Sequence, residues 1–246
     1  MSRFSAMTSS PDALLPASRL ACLSTHTPRW RPGLAGAHHS EVFACSREAS
    51  GAGAALAMIA DSLPIEDERA LLWVQDKAAL RLGGRPYRAG LPKRFRHRLI
   101  HVVADKSEDA LFALEEGLRC RELAAVVGEV TGNPKAFDFT ASRRLTLTAE
   151  KHGVSLWLIR LDASHDLSSA RMRWQVAAAP SPCPRWNAAA PGNASWRAEL
   201  FRARMHSPGT WILRDDEHGL AADREPQTPH HVGVAFAAGD RPLAAW

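Results

Sequence analysis

The chain has 246 residues, 46% of them hydrophobic and 23% charged, which excludes a disordered polymer and suits one domain with a sizeable core. Its formal net charge of +5 permits contact with nucleic acid or an acidic partner without demanding either. No apolar run approaches the ~18 residues a membrane span needs, and four scattered cysteines with no C-x-x-C pair argue for reduced thiols and against a zinc site.

Residues 1–29 are rich in Ser, Thr and Pro, lack the apolar stretch of a secretory signal and read as a flexible leader. Glu41 to Ala44 is the first candidate strand, and Leu56, Ile59 and Leu63 mark a helix over 51–63. "ALLWVQ" (70–75) and "LIHVVA" (99–104) are apolar runs of strand length. Ser107 is placed to cap a helix whose first turn carries Glu108 and Asp109 and whose buried stripe is Leu111, Leu114 and Leu118. "LAAVVGEV" (123–130) is a further strand; Thr140 is the expected cap of the next helix and Gly153 its terminator. "VSLWLIRL" (154–161) and "RMRWQV" (171–176) follow as strands.

Strands apolar on both faces, alternating with helices, predict an α/β fold with a mainly parallel sheet flanked by helices. From Pro180 the character changes to a Pro-rich linker (180–195). Two strands joined by Ser207-Pro208-Gly209 then form a C-terminal β-hairpin extension, followed by a polar tail. The expected division is a leader (1–29), a core (30–179), a linker (180–195) and a hairpin with tail (196–246). The doublets His38-His39 and His230-His231 lack a carboxylate or Cys at metal-site spacing and read as solvated, so no metal is expected.

"SEVFACSREASGAGAAL" (40–56) has the outline of a phosphate-binding turn, a strand running through small residues into a helix. Such a turn needs a Lys followed by Ser or Thr at the helix start, and here the Lys is missing. Arg47 is the only cation, ahead of the small residues; Ser50 offers a hydroxyl, and Gly51 and Gly53 offer backbone without charge. Gly128 stands where the metal-positioning Asp of such a site belongs, with Glu129 the nearest acid, and Asp76 ends the second strand as a candidate water-orienting acid. Loss of the cation removes a main stabiliser of phosphoryl charge. Arg47, Ser50, Gly51, Gly53, Asp76 and Glu129 are therefore expected to form a vestigial nucleotide site, with no cofactor beyond weak binding of ATP and Mg²⁺ and no enzyme activity.

Two further groups are candidates for recognition. "PKRFRHRL" sets Lys93, Arg94, Arg96 and Arg98 around Phe95, a pattern suited to phosphates with base stacking. In the hairpin, Arg197, Arg202, Arg204 and Trp211 form a candidate partner interface.

The order of elements resembles a degenerate RecA-like ATPase core. "LIHVVADKSEDALFALEEGLRCRELAAVVGEV", "FDFTASRRLTLTAEKHGVSLWLIR", "WRAELFRARMHSPGTWILRDD" and the terminal "GDRPLAAW" resemble the inducible-mutagenesis protein A (ImuA) family over residues 30–246. The resemblance implies a bacterial, cytoplasmic, SOS-induced protein of translesion synthesis. Its implied partner is an ImuB-like Y-family polymerase homologue, with RecA and an error-prone replicative polymerase as further partners. An atypical ATPase acting on RecA filaments and an SOS cell-division inhibitor of the same degenerate fold are the alternatives. The loops that would grip DNA in a RecA-like protein, "TGNPKAFD" (131–138) and "DASHDLSSA" (162–170), are short, and the second is acidic and hydroxylic, so filament-type DNA binding is not expected.

Overall fold

A computed structural model describes residues 38–184, 187, 189–216 and 219–225. The expected leader, His230-His231, Trp186 and the C-terminal "GDRPLAAW" lie outside the described residues.

The chain folds as an α/β protein around one nine-stranded sheet. In chain order the elements are β1 (His39–Ala44), α1 (Ser50–Ser62), β2 (Ala70–Asp76), α2 (Lys77–Gly83), β3 (Leu99–Ala104), α3 (Ser107–Arg119), β4 (Leu123–Thr131), α4 (Phe139–His152), β5 (Ser155–Leu161), β6 (Met172–Ala178), β7 (Ser195–Ala203), β8 (Gly209–Asp216) and β9 (Gly219–Arg224). The strand order is β3-β2-β4-β5-β1-β6-β7-β8-β9. The first six strands in that order pair in parallel, and β7, β8 and β9 continue the sheet antiparallel from β6. The C-terminal hairpin therefore extends the core sheet.

Alternation along the central strands explains why their sequences read as continuous apolar runs. In β5, Leu156 and Leu158 face one side with Leu114, Leu118, Val126 and Leu145, under α3 and α4. Trp157 and Ile159 face the other, with Val42, Met58, Trp73, Trp174 and Trp196, under α1. The stripe Leu111, Leu114 and Leu118 is buried, as its spacing requires. Burial at ~25 cal/mol per Å² on both faces of the sheet is the main source of stability. No helix among the described residues is long and apolar enough to cross a membrane.

Local chemistry departs from expectation at several element ends. Ser107 does not cap α3; it is the first helical residue, and the N-cap Lys106 makes no side-chain bond. At α4 the cap is Asp138, whose Oδ1 accepts from the Ala141 N–H at 2.7 Å; Thr140 lies inside the helix. An ionised cap is favoured at a helix N-terminus, so the Asp two residues upstream wins. Gly153 ends α4 in the left-handed conformation, φ 73°. Two elements were not anticipated: α2, a short helix after Asp76, and β9, formed by a stretch read as polar tail. β9 is stabilised by pairing with β8 rather than by an apolar pattern of its own.

His39 is not solvated. It is fully buried at the start of β1, with Nδ1 2.9 Å from the Thr146 hydroxyl of α4, and burial pushes its pKa down to about 4.

Candidate functional site

The parallel strands present their carboxyl ends to one rim, where ligand sites of open α/β sheets lie. Loop 45–49 joins β1 to α1 there; on the same rim Asp76 ends β2 and Glu129 lies two residues before the end of β4.

The loop is fastened by carboxylates of the chain itself. Ser46 N–H donates to Asp162 Oδ1 at 2.9 Å. Glu48 Oε2 accepts from the Ser50 hydroxyl at 3.1 Å and from the Ala178 N–H of β6 at 2.9 Å. A phosphate entering this turn would meet two negative side chains, each like-charge contact costing on the order of 1–4 kcal/mol at 4 Å depending on the local dielectric. Arg47 is exposed, and its charge is reinforced by a side-chain hydrogen bond with Cys45 and by Asp162 and Glu48 nearby.

The two glycines of the turn serve packing. A Cβ at Gly51 would stand 2.6 Å from Ala44 Cβ and 3.3 Å from Ile159 Cγ2. At Gly53 it would stand 2.9 Å from Trp196 Cζ2. α1 thus lies on the sheet at a distance that only glycine permits.

Both strand-end acids are occupied as well. Asp76 is the N-cap of α2, accepting from the Ala79 N–H at 2.7 Å. Glu129 is 5% exposed, and its Oε2 accepts from Trp73 Nε1 at 3.1 Å and Gln75 Nε2 at 2.9 Å. Gln75 Nε2 also donates to Gly84 O, and Gln75 Oε1 accepts from His101 Nε2 at 2.7 Å. Burial raises the Glu129 pKa to about 7; the neighbouring Asp76 adds to that rise, and the two hydrogen bonds oppose it. A buried carboxyl with its pKa raised and one oxygen taken by two donors is poorly suited to hold Mg²⁺. Gly128 points to the opposite face, between Leu158 and Leu114.

The structure therefore brings Ser50, Gly51 and Gly53 together in the first turn of α1 and sets Asp76 beside Glu129, while each has a partner or packing role within the chain.

A second cluster at this rim was not recognised in the sequence. Glu41 is 1% exposed; its Oε2 accepts from Arg173 Nε at 2.6 Å, its Oε1 accepts from the Ser168 hydroxyl at 2.8 Å, and Arg160 Nη1 lies 3.9 Å away. Burial pushes the Arg160 pKa down and the Glu41 charge counters it. Arg173 lies over Phe43 and Phe201, and His165 stacks on Phe201 with centroids 4.2 Å apart. Ser168 and His165 belong to loop 162–170, which is tied to loop 131–138 through Asn133: its Oδ1 accepts from Ser164 N–H at 2.8 Å, and its Nδ2 donates to Ser164 O and Asp166. The signal was a charge inside each of three apolar strands. It is readable only once the register aligns Glu41 with Arg173 and Phe43 with Arg160.

The basic run is committed to structure in large part. Phe95 is 2% exposed and belongs to the core, so its ring cannot stack on a base. The Arg94 guanidinium donates to the carbonyls of Ala60, Leu63, Pro64 and Asp67, holding the end of α1. Arg96 donates to Leu91 O and Arg98 pairs with Glu68, leaving Lys93 as an exposed charge.

Among the hairpin candidates, Trp211 is half-buried edge-on to Trp174, and Arg197 pairs with Glu225 and Glu199. Arg202 and Arg204 are exposed.

Fold and rim define an α/β sheet protein whose strand–loop–helix turn is fastened by its own carboxylates. No family profile matches the chain. It is 33% identical over 186 residues to Protein ImuA of Caulobacter vibrioides strain NA1000 / CB15N, covering 72% of this chain and 70% of that protein, and equally to Protein ImuA of strain ATCC 19089 / CIP 103742 / CB 15. The chain belongs to the ImuA family.

Proposed function

We propose that the chain is a non-hydrolysing RecA-like accessory protein of an SOS-induced translesion DNA synthesis complex. It acts by protein contact with a Y-family polymerase-like partner, and its nucleotide turn is kept as scaffold. One observation supports the loss of hydrolysis: Glu48 in the turn and Asp162 after β5 accept from Ser50, Ala178 and Ser46, so the turn is held by carboxylates of the chain rather than lined by free donors. Family membership supports the setting.

Co-purification of the full chain with the polymerase-like homologue, in the presence and absence of ATP, tests the proposal. A complex that forms equally well in both conditions is expected. Failure to co-purify, with capture instead of RecA filaments or of a tubulin-like division protein, would replace it with the filament-remodelling or division-inhibitor reading.

A further inference from the structure

At the opposite rim of the sheet lies a cavity of about 280 Å³ that the vestigial turn does not touch. It forms where three segments meet. Arg171 N–H donates to His39 O, and Arg204 N–H to Arg171 O, so the entry to β1, the entry to β6 and the exit of β7 are stitched side by side. The last turn of α4 supplies Glu150, which closes one wall.

The lining combines excess positive charge with sulfur-rich apolar surface. Glu150 is engaged by Arg171 at 2.5 Å, which holds its carboxyl below the usual range. Arg204 adds a second guanidinium with no ion pair of its own among the described residues. Two arginines thus face one acid, with His38 and His206 completing the lining. Met172, 3% exposed, is an apolar floor, and Met205, 80% exposed, stands at the lip. An unbranched thioether adapts to varied apolar shapes, and an exposed Met beside arginines is a composition typical of binding surfaces.

We propose that this cavity binds an acidic segment of a protein partner. One large apolar side chain enters against Met172 and Met205, and a carboxylate of the same segment pairs with Arg204. Charge complementarity selects the acidic ligand. A peptide is favoured over nucleic acid because the lining holds no Phe, Tyr or Trp on which a base would stack, while Met172 and Met205 offer apolar surface to a side chain. The inference rests on the proposed role as a partner-binding component and assigns it a surface; of the four hairpin candidates, Arg204 is the one that lines this cavity.

The test uses the full chain and a fluorescein-labelled peptide, Gly-Asp-Leu-Phe-Asp-Gly, read by anisotropy. Saturable binding is expected, weakened about tenfold by Arg204→Glu, by Met205→Asp, and by exchange of both Asp of the probe for Asn, with Arg204→Lys keeping most of the affinity. Both residues are exposed, and circular dichroism checks that each variant folds. Absence of saturable binding, equal binding by Arg204→Glu and Met205→Asp, or displacement of the peptide by an oligothymidylate that itself requires Arg204 would overturn the proposal. Co-purification of Arg204→Glu with the polymerase-like homologue separates the two ideas. A retained complex with no peptide binding discards this cavity alone, whereas a wild-type chain that captures no such partner discards the role.

Discussion

Trp196, near the start of β7, lies over Gly53 in the first turn of α1, so close that a Cβ at position 53 would stand 2.9 Å from the indole Cζ2. The two residues are more than 140 positions apart in the chain. Their contact fixes how the antiparallel strands meet the helix that follows loop 45–49. Gly53→Ala should destabilise the protein by about 1–2 kcal/mol, since overpacking of ~1–3 kcal/mol exceeds the ~1 kcal/mol gained in helix propensity. In a Trp196→Ala background the sign should reverse. Urea unfolding at unchanged m-value reads both effects. If Gly53→Ala stabilises the wild-type chain, the packing account of this glycine is wrong.

Glu129 and His39 should give opposite slopes of stability against pH. Glu129 has its folded pKa raised to about 7, so the native state keeps a proton that the unfolded chain has lost, and stability falls as pH rises from about 4.5 to 7. His39 has its folded pKa lowered to about 4, so the unfolded chain holds the extra proton, and stability falls as pH drops from about 6.5 to 4. Each effect is worth about 3 kcal/mol and they oppose one another near pH 5–6, leaving the wild type nearly flat there. Glu129→Gln should expose the rising slope. Chemical denaturation across pH 4.5–7.5 is the measurement, and an unchanged profile in that variant would contradict the assignment.

Arg94 should matter for folding far more than its neighbour. Arg94→Ala removes donors to four carbonyls around the end of α1 and should cost roughly 2–4 kcal/mol. Lys93→Ala, at an exposed position, should stay within about 0.5 kcal/mol. Arg94→Lys should recover little, because an ammonium cannot spread its donors as the guanidinium fork does. Thermal unfolding of the three variants decides it.

Titration calorimetry with a Mg²⁺-bound ATP analogue should give no saturable heat at millimolar ligand. Glu48 and Asp162 set two carboxylates against the turn, and burial raises the Glu129 pKa. Micromolar, Mg²⁺-dependent binding lost on Arg47→Ala would show the turn to be a working site.

Much of the α/β core was legible because both periodicities are local. Leu111, Leu114 and Leu118 mark a helix face without reference to anything distant, and "LAAVVGEV" is too apolar for any place but a buried strand. Cap choices failed where two candidates stood within two residues, as with Asp138 and Thr140, where it is the Asp138 carboxylate that reaches the Ala141 N–H. β9 escaped notice because its pairing with β8, rather than its composition, makes it a strand.

The sequence by itself determined that the strand–loop–helix segment 40–56 has no lysine, because the absence of a residue is read directly. Only the tertiary structure decided what the remaining residues do. Glu48 and Asp162 fasten the loop by hydrogen bonds, Gly53 yields to Trp196, Phe95 goes into the core, and Glu41 meets Arg173 across the β1–β6 register. Each depends on partners brought together by strand order and register, and no local pattern encodes a contact between residues that far apart.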